Sequence, residues 1–335
     1  MSNSDQIGPA GRKRLFWFIS PLFFLLASAS MAAEWKPEKN VEFVIGTGAG
    51  GALDRTARLI QRIWKNTGIV PATTLVVNKP GGGQSMALGY LDQNARDGHY
   101  LLITSGIVFS NHITGKSPHA YTNFTPVAIL FSEGTVFAVS SGSSIRTAND
   151  LISRLRKDPY GPSFAVGSTL GSATHIASAL VGKAVGADIK RMKAVVFNSS
   201  GESVTAVMGG HVDVMAAAAQ LAVQHSKTGK LRIVASATSE RLPGALSVVP
   251  TWKELGVDAI VTNWRGVFGP RDMSPEQVSY WVDALQKTEK NSEWQDELSR
   301  NLMVSTFYHG LEAKKFLDSD YATTKLMLTE LGMTK

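Results

Sequence analysis

Three short loops rich in glycine and hydroxyl side chains, at 47–54, 168–175 and 197–202, each follow an apolar strand-like run and each open a helix. A chain punctuated in this way is confined to layered α/β architectures, because strand–loop–helix units bury the faces of a sheet against helices. The same pattern gathers helix N-termini at the ends of strands. Such a terminus carries about half a positive charge and several N–H groups without intrahelical partners, so it can hold an anion without a cationic side chain.

The units fall into two series. In the first, 41–45, 75–77 and 100–104 read as strands. The first helix between them places Leu53, Ala57, Ile60, Ile63 and Trp64 on one face and Arg55, Arg58 and Arg62 on the other. A Gly81-Gly82-Gly83 turn precedes a second helix through Met86, Leu88 and Leu91, and the third strand ends at Ser105-Gly106. From about Ser140 the pattern restarts, with strands predicted at 164–167, 194–197, 212–215 and 232–235. Thr147 with Asp150 and Ser199 with Glu202 have capping-box spacing, and Ser172 is placed to cap a third helix. Ser274-Pro275-Glu276-Gln277 is a further start signal, and helical segments at 275–291 and 311–331 close the chain by packing back on the first unit.

The leader stands apart from these units. Arg12, Lys13 and Arg14 precede an apolar stretch over 15–29 and the small-x-small pattern Ser30-Met31-Ala32, which is the layout of a secretory signal peptide over 1–33, cut near Ala32 or Ala33. A retained membrane anchor is the alternative, but Ser20-Pro21 interrupts the stretch, which is also shorter than the ~20 residues a span needs. The chain has no cysteine, hence no lipoprotein anchor, disulfide framework or thiol chemistry. These features predict a soluble periplasmic protein. The formal net charge of +7 suits an anionic ligand and equally a solvated surface, and the basic residues are scattered without interleaved aromatics, against nucleic-acid binding.

Gly46-Thr47-Gly48-Ala49-Gly50-Gly51 matches G-x-G-x-x-G after a strand and before a helix, the dinucleotide fingerprint. The acid that should end the second strand is replaced by Asn78-Lys79, so a backbone nest for a carboxylate keeps the same physics without the cofactor. There is no G-x-S-x-G elbow and no H-E-x-x-H, and the seven histidines lack metal-ligand spacing, so no catalytic residue, metal or cofactor is expected. His175 either faces a ligand or hydrogen-bonds locally. Trp264-Arg265 is either a ligand clamp or a packed return segment between lobes. Asp54 reads as structural at a helix start, and Asp213 as structural, with ligand contact as its alternative.

A series of motifs in order carries a resemblance. It begins with Gly50-Gly51-x-x-Asp54, 76–83 (Val-Val-Asn-Lys-Pro-Gly-Gly-Gly) and Asp97-Gly98-x-x-Leu101. Gly171-Ser172-x-Thr174-His175 and Gly209-Gly210-His211-Val212-Asp213-Val214-Met215 follow. Gly229-Lys230-Leu231-Arg232, Glu240-Arg241-Leu242-Pro243 and Val249-Pro250-Thr251 complete it. Across about 36–335 the chain resembles the receptors of the tripartite tricarboxylate transporters, also called Bug receptors. Asn198-Ser199-Ser200-Gly201-Glu202, Val207-Met208-Gly209 and Asn263-Trp264-Arg265-Gly266 look closer to the citrate-type branch.

The resemblance implies a two-lobed α/β periplasmic-binding-protein fold, type II-like, with two chain crossovers, two parallel-rich sheets flanked by helices and the ligand cleft between lobes. Lobe I would be 36–136 plus 262–335, and lobe II 137–261. It implies a monomer that binds a small carboxylate and docks the integral-membrane subunits of a tripartite tricarboxylate-type transporter. Ligand-binding residues carried over by position are Thr47, Gly50, Gly51 and Ser105 in the first lobe, and Ser168, Thr169, Ser172, Thr174, Ser199 and Ser200 in the second, with His175 beside them. Rival readings are a sensory accessory presenting a carboxylate to a signalling receptor, and an exported enzyme acting on organic acids. The chain departs from the family at Arg96, where proline is usual, and at 197–202, which lacks the common lysine, so a relative's ligand does not transfer.

Overall fold

Phe43 and Ile45 on the first strand bury on one face and Val44 on the other; Leu101 and Ile103 alternate with Leu102 in the same way. Strands apolar on both faces need a layer of helices on each side. The computed structural model shows that arrangement; it describes residues 1, 2, 4, 5 and 35–335 apart from 168 and 198. The basic and apolar segments of the expected leader, and Ser168 of the expected site, lie outside the described residues.

Residues 35–335 form one compact unit. Its first part runs β1 (Val41–Ile45), α1 (Ala52–Thr67), β2 (Thr74–Asn78), α2 (Ser85–Gln93), β3 (Tyr100–Thr104), α3 (Ile107–Ile113) and β4 (Thr125–Glu133). Next come β5 (Thr135–Ser140), α4 (Ala148–Lys157), β6 (Ser163–Gly167), α5 (Ala173–Ala184), β7 (Lys193–Phe197), α6 (Ser200–Met208), β8 (Val214–Ala218), α7 (Ala219–Ser226) and β9 (Leu231–Ser236). The chain ends with β10 (Asn263–Gly269), α8 (Pro275–Glu289), α9 (Ser292–Arg300), β11 (Met303–His309) and α10 (Gly310–Glu330).

Two sheets result, ordered β11-β4-β10-β3-β1-β2 and β7-β6-β8-β5-β9. Both are mixed. β3-β1-β2 and β7-β6-β8 are parallel, while β10, β4 and β11 in the first sheet and β5 and β9 in the second pair antiparallel. The parallel halves carry the glycine-rich loops, and they put the ends of β1, β3, β6 and β7 where ligands bind in open α/β sheets. The chain steps from the first sheet to the second at Gly134, between β4 and β5, and returns between β9 and β10. Gly134 is crowded: a Cβ there would stand 2.5 Å from Leu242 Cδ1.

Each sheet is sandwiched by apolar clusters. α1, α8 and α9 cover one face of the first sheet, where Trp64 stacks on Trp281 with ring centroids 5.5 Å apart and its indole N–H donates to Thr288 Oγ1 at 2.7 Å. α2, α3 and α10 cover the other face through Leu88, Phe109 and Leu317. In the second lobe α4 and α5 pack on Phe137 and Val139, and α6 and α7 on Val136 and Ala138. α10 reaches both lobes. Its Leu317 and Leu328 belong to the first-lobe cluster, and its Met327 packs on Ile176 and Ala179 of α5.

Candidate ligand cleft between the lobes

A cavity of about 470 Å³ lies between the two sheets and is walled by both lobes. Ala52 at the start of α1, Gly106 before α3, Ala173 at the start of α5 and Ala218 before α7 all line it. None of these four helices is capped by a side chain of its own, while α6, whose Ser200 also lines the cavity, is capped by Ser199. Uncapped first turns leave N–H donors for whatever fills the space, at α1 and α5 above all, because Ala219 of α7 donates to the Gly134 carbonyl and Val108 and Phe109 of α3 donate to the Ser105 and Gly106 carbonyls. A second cavity of about 270 Å³ adjoins the first, sharing Ala52, Ser105, Ile107 and Arg265 with it and bounded by Gly46, Thr47 and Gly51 of the first loop.

The expected site residues divide by position. Ser105, Ser172, Thr174 and Ser200 line the large cavity, and Thr47, Gly51 and Ser105 line the adjoining one. The Thr47 hydroxyl is buried without a hydrogen-bond partner, while its carbonyl accepts from Asn78 Nδ2 at 3.0 Å. The Ser172 and Thr174 hydroxyls share a hydrogen bond of 3.1 Å. Ser199 Oγ accepts from the Glu202 N–H at 3.2 Å and so caps α6, leaving Ser200 to face the cleft. Ser200 comes close because β6 ends in Gly167, where a Cβ would stand 2.9 Å from the Ser200 hydroxyl.

The remaining residues are engaged within their own loops. Gly50 donates its N–H to Asp54 Oδ2 at 2.9 Å, and the same oxygen accepts from Arg58 at 2.9 Å while Oδ1 accepts from Asn78 at 3.0 Å. Arg58 first, then the Gly50 and Asn78 hydrogen bonds, hold the buried Asp54 carboxyl down at about 2. Thr169 Oγ1 donates to the Leu170 carbonyl at 3.2 Å. His175 is buried, and its Nδ1 accepts the Gly171 N–H at 3.0 Å, which fixes the neutral tautomer with its proton on Nε2. Burial pushes this imidazole down to about 4. Gly171 holds φ +85, so the turn that the ring braces is one that favours glycine. Asp213 accepts from the N–H and hydroxyl of Ser163 at 2.8 and 2.7 Å, tying β6 to the start of β8.

Three cleft features lie outside the expected ligand-binding residues, and of these only Arg265, in the 263–266 motif, has a local signal. Arg265, 7 % exposed, packs in β10 and also lines the cleft, with Nη2 on Glu133 Oε2 at 2.9 Å and Nη1 on Asn263 Oδ1 at 2.9 Å. Asp320, Thr323 and Thr324 on α10 form part of the wall. Gln220 and Gln224 of α7 form another part. The α10 and α7 residues reach the cleft through sequence separations that spacing arguments cannot see. Beside the cavity, buried Ser110 Oγ donates to the Gly171 carbonyl at 2.6 Å, joining α3 of the first lobe to the α5 loop of the second.

Among the described residues no group of three or more His, Asp or Glu is placed to hold a metal, and no helix is long and apolar enough to cross a membrane. The family model of the tripartite tricarboxylate transporter family receptor matches residues 60–333. The chain belongs to that receptor family. This receptor is 27 % identical over 274 residues, 81 % of its length and 80 % of the relative's, to a protein encoded in the tcbD-tcbE intergenic region of Pseudomonas sp. strain P51. Its fold is that of a TctC solute-binding protein from Polaromonas, with TM-score 0.76 and 22 % identity, covering 88 % of this receptor and 99 % of that chain. An R. palustris protein solved with adipate superposes with TM-score 0.74 at 22 % identity, covering 89 % and 99 % of the two chains.

Proposed function

We propose that this receptor works in the periplasm, captures a small organic acid, a di- or tricarboxylate, in the cleft between its lobes, and delivers it to a tripartite tricarboxylate-type membrane transporter. The observation that carries the reading is the set of uncapped helix starts from both lobes meeting hydroxyl side chains around one cavity of about 470 Å³. Neutral donors of this kind share an anion's charge and avoid a buried cation that would lack a partner when the site is empty. Ser172, Thr174 and Ser200 of the second lobe and Thr47 and Ser105 of the first are the assigned contacts. A protein of the same fold was solved with adipate, an acid of the proposed class, and the motifs at 198–202 and 263–266 favour the citrate-type branch.

Closure follows from differential binding. A carboxylate held by first-lobe donors gains the second-lobe donors only when the lobes approach, so it binds the closed form better and shifts the population towards it. The test is a thermal-shift panel of succinate, adipate, malate and citrate, with hits measured by calorimetry. A ligand at a hundredfold its Kd adds about 2.7 kcal/mol to stability. Ser172→Ala combined with Ser200→Ala is expected to weaken the best ligand at least tenfold with an unchanged apo melting temperature. Unaltered affinity in that variant would place the ligand elsewhere.

A further inference from the structure

Asp320 is the one acid of the cleft wall left without a charged partner among the described residues. Glu133, the other, pairs with Arg265 at 2.9 Å. Asp320 accepts one hydrogen bond, from Trp264 Nε1 to Oδ2 at 2.8 Å. A carboxylate offers about four lone-pair sites, so most of its accepting capacity is unused. The group sits against bare backbone: a Cβ on Gly106 would stand 3.6 Å from Oδ2 and 3.4 Å from the Trp264 indole nitrogen. That places it beside Gly106, in the wall of the large cavity, which Ser105 and Ile107 also line. Burial raises its carboxyl to about 6, opposed by the Trp264 N–H, so the group is mainly ionised at neutral pH.

We propose that Asp320 is a specificity-determining residue that reads a hydrogen-bond donor on the ligand, so the cleft selects organic acids carrying a hydroxyl, amide or ammonium group besides the carboxylate. The inference rests on the carboxylate-receptor reading and narrows its ligand class. The cleft has two chemically distinct parts. Helix starts and hydroxyls supply donors for a carboxylate, whereas ionised Asp320 can only accept. When closure expels water, an acid without a donor leaves Asp320 desolvated and unpaired, or sets a second carboxylate against it. Sites built to hydrogen-bond a polar substituent reject the analogue lacking it far more strongly than an apolar pocket rejects a missing methylene.

Calorimetry on matched acids tests this: succinate against malate and aspartate, and tricarballylate against citrate, for the mature protein and for Asp320→Ala and Asp320→Asn. The wild type is expected to favour the donor-bearing member of at least one set by tenfold or more. Asp320→Ala should reduce that ratio to within about twofold while the donor-free acid binds as well or better. Asp320→Asn, which keeps a neutral acceptor, should retain a preference for hydroxyl but lose any for ammonium. A wild type that binds donor-free acids equally well, or variants that weaken every acid by one common factor, would overturn the role of Asp320 and leave the receptor reading standing. Absence of binding by every acid in the panel would overturn both.

Discussion

Mild acidification should destabilise this receptor through His175. His175 Nδ1 accepts the Gly171 N–H at 3.0 Å inside the second lobe, so protonation there both charges a buried site and breaks the bond that shapes the cleft loop. The unfolded chain binds this proton near pH 6.5, whereas burial holds the folded ring down to about 4. Between those values the unfolded state carries more protons, so stability falls as pH drops through 6.5, and the loss is complete below about 4. Going from pH 7 to pH 5 the linkage is worth about 2 kcal/mol. His175→Asn removes the titration and offers an amide oxygen as acceptor for the same N–H. Urea unfolding of both proteins at pH 7, 6 and 5 isolates the effect, because every other titrating group is common to them. Asp320, whose raised carboxyl works in the opposite direction as pH falls from 6 to 4, cancels in the difference. The stability of wild type relative to variant should fall by about 2 kcal/mol over this range, with ligand affinity at pH 5 preserved better in the variant. Parallel pH curves would show that Nδ1 is not a buried acceptor, and the account of the 171–175 loop would fail.

Two further outcomes follow from the same hydrogen-bond map. Asp54→Ala strips the acceptor from the Gly50 N–H, Arg58 and Asn78; denaturant unfolding should show a loss of about 2 kcal/mol near neutrality. Because the folded Asp54 carboxyl lies at about 2, its contribution is present above about 3.8 and lost as pH falls towards 2, so the variant's acid limb should be flatter. Ser110→Ala removes the hydroxyl that bridges to Gly171 beside the cleft; at about 1 kcal/mol for one such bond it should weaken ligand about fivefold. Small-angle scattering should then show a larger radius of gyration without ligand and an unchanged one with it.

Much of the parallel framework was legible because it depends on neighbours in sequence. β1 and β3 fall at the predicted 41–45 and 100–104, and the capping spacings at Thr147, Ser199 and Ser274 all form their hydrogen bonds. β4 and β5 escaped because 125–140 is apolar on both faces with one glycine between, and a continuous apolar run has no period to read. β10 and β11 are return strands whose partners lie far away in the chain; Trp264 and Arg265 were visible as residues, but their sheet was not. Similar limits apply to the cleft. Glycine and hydroxyl content marked the loops that border it, yet whether a loop N–H points at solvent or at its own side chain, as Gly50 does towards Asp54, depends on three-dimensional packing.

The sequence by itself determined the α/β layering, the glycine-rich strand-to-helix turns and the starts of several helices, since propensity, capping and periodicity act over a few residues. Only the tertiary structure decided which helix starts face one cavity, that Arg265 is neutralised by Glu133 and that Asp320 is not. Those outcomes turn on which distant groups share a buried volume, where a charge's cost is set by the partner it meets.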